Sequence, residues 1–369
     1  MTLIPLIFAI LVAAIAQMAE TAAVGPLARR ALLLFASLIV LGAVYAIFAT
    51  HAALDVWPLD PAVATQLIAS ASAQAPNTPA TDVQAPLALE AWVRSLIPTN
   101  IVAAAAEDAV LPVVVFACLF GVAITRLAPA HRAPLTAFFQ ATGEAMIVIV
   151  QWVLALAPMG VFGLSLSLGL TTGFDALGLL AQYVLIVSAV TIGITLFAVV
   201  LGLALSRVPP LQFLRAMAPV QVVAASTQSS LASLPAMLTA AIGPLRVPAQ
   251  TAEFVLPLAV AIFRLTSPVA NLAVVVFVAH LHGLEPSLWQ WAAAVAVAFA
   301  VSVSSVGLPG QTSFFASVAP ICVAVGLPVT VLPLLLAVEV IPDVFRTIGN
   351  VTGDLSATAI LSRESRKRS

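Results

Sequence analysis

Lysine is almost missing from this chain: of 369 residues only Lys367 is one, and all charged residues together make up 8%. A soluble domain needs a surface that water will solvate, whereas a lipid-facing surface must not carry such groups, so the scarcity of charge excludes an ordinary water-soluble protein. The formal net charge of -1 leaves neither a basic surface for nucleic acid nor a strongly acidic tail. Cysteine is scarce too. Cys118 and Cys322 lie in apolar runs, with no CxxC spacing and no neighbouring histidine, and read as small buried side chains rather than a metal or redox pair. The four histidines are His51, His131, His280 and His282; the last two are two positions apart and point in different directions on a helix, so no metal site is expected. A basic start is also absent from MTLIPLIFAILVAAIAQMAE, which reads as part of a membrane segment and not as a cleavable signal peptide.

What is present in abundance is apolar: 62% of the residues are hydrophobic. Long apolar stretches fall at about 3–19, 31–50, 109–127, 145–170, 179–205, 254–281, 287–303 and 314–341. Several can cross roughly 30 Å of hydrocarbon at about 1.5 Å per helical residue. The expected fold is an all-α, multi-pass helical bundle forming a single membrane domain over residues 1–369. Residues 51–92, rich in Pro, Ala and Ser, carry Asp55, Asp60, Asp82 and Glu90 and no Lys or Arg, and read as an extramembrane loop, irregular in part. Arg29, Arg30, Arg126, Arg132, Arg207, Arg215 and the closing RESRKRS gather at the other turns. Under the positive-inside rule those turns and the 359–369 tail are cytoplasmic, and the 51–92 loop faces outward.

Two regions fail as ordinary spans: AMAPVQVVAASTQSSLASLPAMLTAAIGPLRVP (216–248) and AVSVSSVGLPGQTSFFASVAP (300–320). Each places a serine-rich, proline-containing patch between two short apolar arms. Freed backbone groups are tolerable at membrane depth only inside protein or beside a watery cavity, so both are candidate re-entrant hairpins whose tips line a site. The alternative is that the serines are small residues letting helices pack closely.

The charge that remains is concentrated. In IPDVFRTIGNVTGD and the residues before it, Glu339, Asp343, Arg346, Asn350 and Asp354 follow at spacings of 4, 3, 4 and 4, one stripe of a helix, with Thr347 at its border. A polar stripe in a membrane helix faces protein or a cavity, and ionisable groups there are functional candidates. Arg346 offers a fork of donors for a carboxylate. Asp343 can receive an ammonium group or neutralise Arg346 as an internal pair. Asn350 and Asp354 carry oxygens of the kind hard cations bind. A second buried cation, Arg264, stands beside Thr266 and Ser267 between Pro257 and Pro268, where an interrupted helix and free carbonyls are expected. Arg264 can bind an anionic solute, or its guanidinium can fill the place of a metal ion.

These segments resemble the dicarboxylate/amino acid:cation symporter family, the glutamate transporter homologues, over nearly the whole chain. IPTNIVAAAAEDAVLPVVVFACLFGVAI (97–124) and LALAPMGVFGL (154–164) resemble its fourth and fifth helices, QSSLASLP (228–235) and SVSSVGLPG (302–310) its two hairpin tips, and DVFRTIGNVTGD (343–354) its eighth helix. The resemblance implies that Asp343 meets a substrate amino group, Arg346 a distal carboxylate, and Thr347 and Asn350 further polar groups. Asp354, with a backbone oxygen of Asn350, would hold Na+. Ser229, Ser230 and Ser305, Val306 and Gly307 would cradle the main carboxylate and form the gate. It further implies a homotrimer working by elevator-like movement in the cell inner (plasma) membrane.

The departures are local. Where the family carries Asn-Met-Asp-Gly-Thr in its seventh helix, this chain reads Phe263, Arg264, Leu265, Thr266, Ser267. An amide and an acid are gone and a fixed positive charge has arrived, which raises the energy of holding a cation nearby. Leu231 stands where another serine is usual, and LIVLG (38–42) is apolar where a Thr-Ser pair is expected. MTLIPLIFAILV resembles the middle of the family's second helix, so the expected fold lacks the first helix and part of the second. The expected function is symport of a small anionic solute, a dicarboxylate or acidic amino acid, coupled to Na+ or H+, with no covalent chemistry and no cofactor beyond that ion. The alternatives are a binding or sensing protein that has lost transport, and an anion-conducting relative. Glu339 is a candidate proton carrier.

Overall fold

In the computed structural model the described residues are 26–74, 100–106, 110–155, 174–304 and 310–365, with Pro5, Phe8, Ala9, Val12, Ala13, Ile15 and Ala16. Among them there is no strand. The helices are α1 (Pro26–Val56), α2 (Pro61–Gln74), α3 (Ile101–Ala106), α4 (Val110–Thr125), α5 (Pro129–Ala155), α6 (Phe174–Ser206), α7 (Pro210–Thr227), α8 (Leu234–Ile242), α9 (Ala249–Ile262), α10 (Thr266–Leu281), α11 (Leu288–Ser304), α12 (Gly310–Val325), α13 (Leu332–Val338) and α14 (Val340–Ser365). Among the described residues three segments are long and apolar enough to cross a membrane: Pro26–Val56, Leu177–Ser206 and Ala249–Leu281. The protein is a multi-pass, all-α helical bundle.

Local chemistry sets many of the helix ends. Asp60 precedes Pro61, and its Oδ1 accepts the Ala62 N–H at 2.9 Å, an N-cap followed by proline at the first helical position. The 51–92 stretch, expected to be irregular in part, therefore has helical structure in its described portion: 51–56 close α1 and 61–74 form α2, while 75–92 lie outside the described residues. At the other end of α10, Gly283 takes φ 61, and the Leu284 N–H reaches back to the Ala279 carbonyl at 2.9 Å. α14 continues without a breaker through Ser365, so the start of the expected 359–369 tail is helical.

α6 shows how the bundle is layered. Tyr183, Val187, Val190, Ile194 and Ala198, spaced three or four apart, are buried, while Leu185, Leu196 and Val200 are exposed. Both faces are apolar, which suits a helix with protein on one side and hydrocarbon on the other. The buried face lies along α14, and α10 is enclosed between α1, α6, α11, α12 and α14.

The break expected near 263–267 is present: α9 stops at Ile262 and α10 begins at Thr266. Neither proline makes it directly. Pro257 sits inside α9, and Pro268 falls in the first turn of α10, where its missing N–H costs no bond. The break is held instead by packing: the Phe263 ring stacks on Phe35 of α1, centroids 4.4 Å apart.

The first serine-rich region is a helix–turn–helix. Its first arm begins at Pro210, with Pro219 inside, Gln228 takes the left-handed conformation at φ 50, and α8 follows at Leu234. Both arms pack on α14. The arms of the second are α11 and α12, longer than the 300–320 window, and 305–309 between them lie outside the described residues.

Candidate functional site

α14 puts the polar stripe in the interior. Glu339, Asp343, Asn350 and Asp354 are fully buried, Arg346 is 2% exposed and Thr347 is buried beside them. Asp343 lies in the first turn of the helix, where the amide dipoles favour a negative charge. Buried ions survive only when paired or hydrogen-bonded, so the partners decide what each group can do.

Arg346 is held from behind. Its Nη2 meets Glu339 Oε1 at 2.6 Å, two helical turns back, and the Tyr183 hydroxyl donates to the other Glu339 oxygen at 2.7 Å. The internal ion pair considered from sequence was Asp343 with Arg346; the ion pair found for Arg346 is with Glu339. The seven-residue spacing brings Glu339 onto the face of Arg346, and Tyr183 fixes the carboxylate in place. Tyr183 was not singled out from the sequence. The one signal for it was a lone polar-tipped aromatic in the long apolar run of α6.

Asn350 ties α14 to the break. Its Oδ1 accepts the backbone N–H of Thr266 at 3.0 Å and the Thr266 hydroxyl at 2.7 Å, and that hydroxyl also lies 2.5 Å from the Arg346 carbonyl. Approach this close requires Gly349, where a Cβ would collide with Thr266 Cγ2 and Thr195 Oγ1. A Cβ on Gly353 would press on Leu265 at 3.1 Å. Thr347 donates to the Asp343 carbonyl at 3.0 Å, a bond within its own helix turn.

The break brings Arg264 to this helix. Arg264 is 5% exposed and interacts electrostatically with Asp343, Asp354 and Arg346. Its carbonyl accepts the Ser267 N–H at 3.0 Å and lies 3.4 Å from the Ser302 hydroxyl of α11. On α10 and α14 several buried atoms have no hydrogen-bond partner among the described residues: both carboxylate oxygens of Asp354, Asn350 Nδ2, Asn271 Oδ1 and the Ser267 hydroxyl. Buried polar atoms are nearly always paired, so a cluster that is not marks a place where a ligand or a neighbouring charge is expected.

Ser229 and Ser230 fall in the α7–α8 turn. Ser230 is buried, and the Ser229 carbonyl accepts the Ser233 hydroxyl at 2.9 Å, which helps close the turn. Gln221 of α7 donates to the Thr352 hydroxyl of α14 at 3.0 Å, a contact not foreseen from the sequence. Ser305, Val306 and Gly307 lie outside the described residues. A separate cleft of about 480 Å³ where α1, α2 and α6 meet is lined by residues including Trp57, Asp60 and Gln182, and by none of the stripe.

Asn350 and Asp354 carry the oxygens a monovalent cation takes, and the bare carboxylate of Asp354 fits one. The fixed charge of Arg264 acting on that carboxylate does not fit. No group of three or more His, Cys, Asp or Glu residues able to hold a metal ion occurs among the described residues.

The model of the sodium:dicarboxylate symporter family matches residues 1–364. The chain is 32% identical over 275 residues to the proton/glutamate-aspartate symporter of Escherichia coli (strain K12), covering 73% of this chain and 61% of that protein. It is 26% identical over 367 residues to the proton/sodium-glutamate symport protein of Bacillus caldotenax, covering 98% and 84%. With excitatory amino acid transporter 3 of Mus musculus it shares 30% identity over 266 residues, covering 70% and 49%. The chain thus spans 61% of the Escherichia coli relative and 62% of the proton/sodium-glutamate symport protein of Bacillus subtilis (strain 168).

Proposed function

The chain belongs to the sodium:dicarboxylate symporter family, a family of transporters and not of enzymes, and from that premise we propose that it is a cation-coupled secondary transporter of a dicarboxylate or acidic amino acid. The observation that carries the reading is Arg346: a guanidinium fixed by Glu339 and Tyr183 in the interior of the bundle. Removing a guanidinium from water is costly, and one carboxylate engages only part of its fork, so donor capacity is left for an anionic solute. The names of the similar proteins, which include glutamate and aspartate symporters, support the same solute class.

In this reading Arg346 takes a solute carboxylate, Asp343 an ammonium group where the solute has one, and Thr347 and Asn350 add polar contacts. Asn350 and Asp354 form the cation-facing end, with Na+ or H+ as the coupling charge. Ser229 and Ser230 on one side and Ser305, Val306 and Gly307 on the other cradle the solute at the tips of two re-entrant hairpins, which gate it in turn. Arg264 adds positive potential. The assembly is a homotrimer in the inner membrane, and the gathering of arginines at alternate turns supports a cytoplasmic C-terminus.

Uptake of labelled succinate and L-aspartate into proteoliposomes, driven in turn by sodium and proton gradients, tests the proposal. Accumulation under at least one gradient is expected. Failure of every gradient to drive uptake would overturn it, and specific binding without flux would mark a binding or sensing protein instead.

A further inference from the structure

We propose that the guanidinium of Arg264 is a built-in cation for Asp354, standing where a bound metal ion would otherwise balance that carboxylate, so that this end of the site does not use sodium. The inference rests on reading α14 as the wall of the solute site, and it narrows the coupling left open above.

Three observations carry it. The first is position. Phe263 and Leu265, the chain neighbours of Arg264, both lie against Gly353, and Thr266 bonds to Asn350 and to the Arg346 carbonyl, so the break is fastened to the turns of α14 that bear Asp354. The second is the state of Asp354. It is fully buried, and neither carboxylate oxygen has a hydrogen-bond partner among the described residues. A carboxylate stripped of water and given no donors needs a counter-charge. The third is the supply of such charge. Arg346 already meets Glu339, and the other buried guanidinium among the described residues is that of Arg264, which stands between Phe263 and Leu265 at this joint.

Counting the buried groups sharpens the point. Among the described residues the buried acids Glu339, Asp343 and Asp354 face the buried bases Arg264 and Arg346, which leaves an excess of one acid. Replacing Arg264 by a neutral residue leaves two, with Asp354 unbalanced. That is the condition under which a small monovalent cation is drawn in.

The test is thermal unfolding of the purified full chain in detergent, with sodium chloride compared against choline chloride at equal ionic strength and no solute added. The wild-type chain is expected to unfold at the same Tm in both salts; a sodium-specific rise would overturn the proposal. Arg264→Gln is expected to lose stability in choline and to regain about 2 °C or more of Tm in sodium, because a ligand that binds only the folded state stabilises it. A folded Arg264→Gln that is indifferent to sodium overturns the idea. Should Arg264→Gln alone not fold, Arg264→Gln/Asp354→Asn removes the stranded carboxylate as well, and is expected to recover the fold and to ignore sodium. A double variant that stays unfolded, or that responds to sodium, counts against the assignment. Flux is not measured, so loss of the transporter reading in proteoliposomes and loss of this proposal remain separate results.

Discussion

Two helices of this protein are buried to much the same degree and have opposite compositions. Every residue of α10 except His280 is buried, and from Leu272 to Ala279 the helix is entirely Leu, Ala, Val and Phe. α14 is buried along most of its length, yet it holds Asp343, Arg346, Asn350 and Asp354 and a row of threonines and serines. Depth therefore does not sort residues by polarity in this bundle; neighbours do. From Leu272 to Ala279, α10 asks only for close packing, which small and β-branched side chains supply. α14 and the Glu339 that precedes it receive polar partners from three other helices: Tyr183 from α6, Thr266 from the first turn of α10 and Gln221 from α7. What water does for a charged helix at a surface, fixed protein groups do here.

The contrast can be broken or sharpened by substitution, and the largest effect is expected on α14. Arg346→Ala strands Glu339 in the interior; a stability loss of about 3–5 kcal/mol is expected, and binding of succinate or L-aspartate should weaken about 30-fold or more. Unchanged affinity in a binding titration would remove Arg346 from the site. Tyr183→Phe deletes one hydrogen bond to a buried carboxylate while keeping the ring, and should cost about 1.5–3 kcal/mol in thermal or denaturant unfolding. Gly349→Ala probes the seam between the two helices: a methyl there meets Thr266 and Thr195, and a loss of about 1–3 kcal/mol is expected. No loss would mean that the seam yields freely. The smallest effect belongs to α10. Val275→Ala removes two methyl groups from an apolar setting and strands no polar group, and should cost about 1–2 kcal/mol. A larger loss there than for Tyr183→Phe would reverse the comparison.

Much of this was legible in the sequence because helices have a period. The spacings from Glu339 to Asp354 already put five polar groups on one stripe, and the stripe is where the structure buries them. The break between α9 and α10 was legible from Pro257 and Pro268, although packing of Phe263 on Phe35, not either proline, fixes its place. α2 is hidden in a Pro-, Ala- and Ser-rich composition that suits a loop equally well, although its Asp60–Pro61 start is an ordinary helix signal. Tyr183 and Glu339 are 156 residues apart, and no local period links an apolar helix to its partner at that distance. The same holds for Thr266 and Asn350, 84 residues apart: the amide was picked out, but not the backbone N–H it would hold.

The joint at Thr266 has a mechanical side. One threonine offers its N–H and its hydroxyl to α14, and Gly349 and Gly353 let the backbones come together with no side chain between them. The break and the polar helix are in consequence one solid piece, and a displacement of either carries the other. Hinges must then lie outside this joint.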